Sequence, residues 1–121
     1  MDDYTAEEIR DAHAPIASLL SKSEKAQQKV APGTWQHRML GGNIQALRIA
    51  LPLISEADGD SEEPAPQDLD SALRALDSMI ERVANTETKF VPGTSQHSLQ
   101  RNRLKALRIA RSAVMAKLGE D

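Results

Sequence analysis

The feature that most limits what this chain can fold into is a long internal echo. Lys29 to Ala50 reads KVAPGTWQHRMLGGNIQALRIA and Lys89 to Ala110 reads KFVPGTSQHSLQRNRLKALRIA. The two align without a gap, sixty positions apart, with half their positions identical. A period of sixty is not that of tetratricopeptide, ankyrin or HEAT arrays. Two copies of one supersecondary unit are expected, each completing the other.

The unit is helical. The same shift places Ile9, Ala12, Ile16, Leu19 and Leu20 on Leu69, Ala72, Leu76, Met79 and Ile80. Both sets follow i, i+3, i+7, i+10, i+11, one face of an amphipathic helix. Thr5 and Glu8 have capping-box spacing, and Pro66 suits a first helical position followed by an acidic turn at Asp68. The spacing predicts a first helix over about 6–28 and a third over about 66–87.

In each copy the repeated PGT ends one helix and starts the next. Pro32 and Pro92 preset φ at the second position of a turn, and Gly33 and Gly93 permit positive φ at the third, as a type II turn requires. Thr34 and Thr94 then stand where a hydroxyl caps a new helix. Helices are expected from Trp35 to Ile54 and from Ser95 to Leu118. Gln36, His37, Gln96 and His97 complete this turn-and-cap signature.

A hairpin of about sixty residues buries too little surface to be stable alone. The expectation is therefore an all-α four-helix bundle built from two tandem αα-hairpin repeats related by a pseudo-twofold. It would form a single helical domain over 1–121. Repeat one spans 5–54, an acidic linker 55–66 (SEADGDSEEPAP), and repeat two 66–118.

Composition narrows the function. Among 121 residues there is no cysteine, so disulfides, thiolate nucleophiles and Cys-based zinc sites are excluded. Tyr4, Trp35 and Phe90 are the whole aromatic set, too few for a base-stacking platform. No apolar run approaches membrane-spanning length, so no membrane partner is expected. The acidic start MDDYTAEEIRD is unlike a secretory signal, and a cytoplasmic protein is expected.

Chemistry-bearing constellations are missing. His13, His37 and His97 show no i, i+3 or i, i+4 pairing, so neither a metal nor any other cofactor is expected. No Ser/His/Asp set, phosphate loop or paired carboxylates can be picked out, and an enzyme is not expected. His37 and His97 follow the capping threonines by three residues and read first as cap elements. The sharper alternative is a small-anion site at the two capped helix starts.

Differences between the copies raise further expectations. Gly41-Gly42 replaces Arg101-Asn102, suggesting close backbone approach of another helix; Pro52 replaces Ser112, suggesting that the second helix kinks or ends there; His13 takes the apolar-face position of Leu73. With Leu47 and Leu107 at the centre of the buried face, Ile49 and Ile109 fall about 200° around the helix. An outward isoleucine kept in both copies suggests a subunit contact. Trp35 opens its helix where Ser95 opens the other, as a partner anchor or as a lid on the bundle end.

Charge is segregated: neither 25–54 nor 88–118 contains Asp or Glu. Pairing of acidic with basic helices within each hairpin accounts for much of this. Arg101, Lys105 and Arg108 share one face of the last helix and could grip phosphates or an acidic partner, although a net charge of −3 weakens the nucleic-acid reading. The leading expectation is a small non-enzymatic protein-protein interaction module that self-associates through its outer helix faces, a homodimer being one form this could take. A nucleic-acid-binding regulator and a small-anion binder follow.

Overall fold

The computed structural model describes residues 3–55 and 63–119. They form four helices: α1 (Ala6–Gln28), α2 (Trp35–Ile54), α3 (Pro66–Glu87) and α4 (Ser95–Gly119), with no strand among the described residues. Of the acidic linker expected at 55–66, residues 56–62 lie outside that set.

Local chemistry explains the helix ends. The Thr5 hydroxyl accepts the Glu8 N–H at 3.0 Å, and the Glu8 carboxylate accepts the Thr5 N–H at 2.9 Å. Pro66 occupies the first turn of α3, where its missing N–H costs nothing. Pro52 does not break α2 at once. The helix runs to Ile54 and closes with the Ser55 N–H on the Pro52 carbonyl at 3.2 Å. Pro15 sits inside α1, so the Asp11 carbonyl loses its usual helical donor there.

The core is aliphatic. Ile16, Leu47, Leu69, Leu76, Leu107, Ile109 and Val114 are its largest fully buried side chains. Each such burial contributes about 1.5–3 kcal/mol. Helix α1 packs on α2 and on α4, α3 packs on α4 and on α2, and α2 also meets α4. Among the described residues the backbones of α1 and α3 do not come within 8 Å of each other, Cα to Cα. Ala46, Ala50, Ala106 and Ala110 are each 1% exposed or less. With only methyl groups to accommodate, α2 and α4 can approach at the short end of the ~8–10 Å range for packed helices. The repeated ALRIA thereby gains a packing role.

This arrangement corrects one expectation. Ile109 is 1% exposed, and Ile49 is half-buried against the core rather than outward. The single-face calculation assumed one packed side, but α4 is flanked by α1, α2 and α3 together, so its buried arc is wide. His13 is corrected in the opposite sense: it is exposed, while Leu73 at the matching position packs on the core. The glycine pair also differs from expectation. A Cβ on Gly42 would meet nothing within 4 Å, and one on Gly41 would come within 3.2 Å of the Gln27 amide, a side chain and not a neighbouring backbone.

Asn43 is the one buried polar residue among those described, at 7% exposure. Its amide atoms are not sealed from water: among the described residues no buried side-chain nitrogen or oxygen is left without a partner. Its side chain makes no hydrogen bond to another described residue.

Candidate interaction surface

Both PGT elements form the same structure. Gly33 has φ of 88° and Gly93 of 93°, and the Thr34 and Thr94 N–H groups close on the Ala31 and Val91 carbonyls at 3.3 and 3.2 Å. Each threonine hydroxyl donates back to that same carbonyl at 2.7 Å and accepts the N–H of His37 or His97 at 3.2 Å. One hydroxyl therefore locks the turn and caps the helix. Gln36 and Gln96 are exposed and make no such contact.

The two turns lie at one end of the bundle. Arg82, late in α3, donates through Nη2 to the Met39 sulfur at 3.0 Å, early in α2. That contact brings the start of α2 and the end of α3 together, and with them the turns that adjoin each. The same end carries the two most exposed large apolar side chains among the described residues: Trp35 is 67% exposed and Val91 69%. Leu99, in the second turn of α4, is exposed as well. Trp35 does not act as a lid, because most of its surface faces water. Sequence reasoning had picked out Trp35 but missed Val91 and Leu99, whose signal was only an apolar residue beside a turn.

The surroundings of the caps are already engaged. Arg38 donates to the Gly33 carbonyl at 3.1 Å, and the Gln27 amide donates to the His37 carbonyl at 3.3 Å. At the second turn the His97 Nε2 lies 3.4 Å from the Glu87 carboxylate. A carboxylate at this cap is unfavourable to a bound anion.

The basic stripe of α4 is only partly free. Lys105 pairs with Glu8 at 2.8 Å across the α1–α4 seam. The Lys105 hydrogen bond, followed by the Thr5 backbone N–H, lowers the Glu8 carboxyl from its ordinary 4.5 to about 2, and the same pairing raises the Lys105 ammonium. Arg111 pairs with Asp77, and Lys117 with Glu63 at 2.8 Å, which also holds the Glu63 carboxyl below its ordinary value. Arg101 and Arg108 are exposed without an acidic partner among the described residues. A groove of about 400 Å³ runs along this seam, lined by Glu8, Asp11, Pro15, Asn102, Lys105 and Ile109. Its principal cation is already neutralised. Glu24 and Arg48 pair at 2.7 Å within the first hairpin.

Among the described residues no three His, Cys, Asp or Glu side chains are grouped as metal ligands would be, and no helix is long and apolar enough to cross a membrane. Compared with protein-family models, curated proteins and solved structures, the chain matches none. The fold and surface define an all-α helical bundle with an apolar turn end.

Proposed function

We propose that this chain is a non-catalytic protein-interaction module that self-associates through the turn end, with Trp35 as anchor. The observation that carries the reading is Trp35 itself, 67% exposed at the opening of α2. Tryptophan is the residue most enriched among dominant interface contacts, and Val91 stands exposed at the same end. Ile49 and Ile109 drop out of the interface because they are packed inward. Within each protomer, on this reading, two tandem αα-hairpins are related by a pseudo-twofold. The helix contacts support this, since exchanging α1 with α3 and α2 with α4 maps the set of packed pairs onto itself.

The single tryptophan makes the test direct. Sedimentation across a concentration series should reveal a reversible dimer, with Trp35 fluorescence shifting to the blue as it forms. Trp35→Ser, the residue found at the matching position of the second copy, should give a monomer of unchanged melting temperature. A strictly monomeric wild type at millimolar concentration refutes the proposal.

A second reading, nucleic-acid binding along α4, draws on exposed Arg101 and Arg108. A low-salt mobility-shift assay with the Arg101→Ala/Lys105→Ala/Arg108→Ala variant tests it, and binding unchanged by the triple substitution eliminates it. The anion reading is disfavoured by caps that are satisfied internally.

A further inference from the structure

Side chains of all four helices line a solvent-open cavity of about 200 Å³. We propose that this cavity is a binding site for a small apolar monocarboxylate, such as an aromatic or medium-chain acid. The proposal is independent of self-association through Trp35.

Three observations converge on that ligand. The first is the wall chemistry: Leu19 of α1, Leu40 of α2, Met79 and Val83 of α3, and Leu107 of α4 line the space, with the Ser23 hydroxyl at its edge on α1. An apolar cavity of about 150 Å³ is enough to take up benzene, so this one admits a ring or short chain together with its headgroup. The second is Asn43, which lines the cavity, is 7% exposed, and has a side-chain amide with no hydrogen bond to another described residue. An amide in that position offers two N–H donors to a guest. Nothing in the packing calls for a polar residue there.

The third is Arg82, which also lines the cavity. Its guanidinium contacts the Met39 sulfur and has no carboxylate partner among the described residues. A thioether is a weak acceptor, whereas the guanidinium fork matches a carboxylate in two parallel hydrogen bonds. Apolar walls, an amide donor that water can reach and an available guanidinium fit an acid with a greasy body. A multiply charged phosphate would find one cation among five apolar side chains, with only Ser23 and Asn43 as further polar groups, and is disfavoured on those grounds.

Calorimetric titration of the full chain with benzoate and with octanoate, alongside toluene as the uncharged probe, tests the site. At least one acid should bind saturably at one site per chain, and at least tenfold more weakly to Arg82→Met, which keeps an apolar stem at an exposed position. Asn43→Leu should also weaken binding, because the amide donors are removed. Saturable binding by neither acid overturns the proposal. So does toluene binding as tightly as benzoate, or acid binding that Arg82→Met leaves unchanged. Those results mark the cavity as a solvent-filled or indiscriminate packing gap.

Discussion

The two turns share a backbone but differ in their side-chain wiring. In the first, the Gln27 amide crosses to the His37 carbonyl; in the second, Glu87 at the matching position faces the ring of His97. Gly41 leaves room for the Gln27 crossing, and Arg101 stands in its place in the second copy. Yet the positive φ of the glycine, the doubly used threonine hydroxyl and the turn closure agree closely between copies. The ion pairs diverge further. Glu24–Arg48 corresponds to Ala84 and Arg108, and Asp77–Arg111 to Ala17 and Leu51. What the copies keep in common is backbone geometry and small-residue packing, while surface charge varies between them. This is the expected order of importance, since exposed pairs contribute only about 0–1 kcal/mol.

The comparison can be broken most forcefully in the core. Leu47→Ala and Leu107→Ala should each destabilise by about 2–5 kcal/mol in denaturant melts, and by similar amounts. A large disparity would mean that the matched leucines do different jobs. Next come Gly33→Ala and Gly93→Ala, each costing about 1–2 kcal/mol, because a side chain is forced into left-handed backbone. Equal losses sharpen the equivalence of the turns. Gly42→Ala, where nothing obstructs a methyl group, should stabilise by about 0.5–1 kcal/mol, with a smaller gain for Gly41→Ala because the Gln27 amide must move.

The smallest expected effect concerns acid. Glu8 has a folded-state pKa below its ordinary value, so its contribution is present above about pH 4.5 and fades as pH falls towards 2. Glu8→Gln should flatten that part of the pH–stability curve. The other seam carries Gln45 where Lys105 stands, and so offers no equivalent pair.

The helices and turns were legible because their signals are local: apolar spacing along 9–20 and 69–80, proline and glycine at fixed turn positions, threonine at the caps. Helix bounds drawn from them agree with the structure to within one residue. The burial of Ile109 was not legible, since it depends on how many neighbours a helix acquires, which one helix's periodicity does not encode. At the candidate surface Trp35 stood out by its rarity, whereas Val91 and Leu99 required knowing that both turns share an end. Asn43 and Arg82 lie 39 positions apart in sequence, and only the folded chain brings them to one cavity.

The alanine crossing of α2 and α4 has a consequence for assembly. Neither hairpin closes its core alone, since α2 and α4 each pack on helices of both hairpins. A second hairpin that peels away leaves a vacancy shaped for any identical segment, including one from a neighbouring molecule. At high concentration or after refolding, chains should therefore trade arms, yielding intertwined dimers whose crossing is the same as the monomer's.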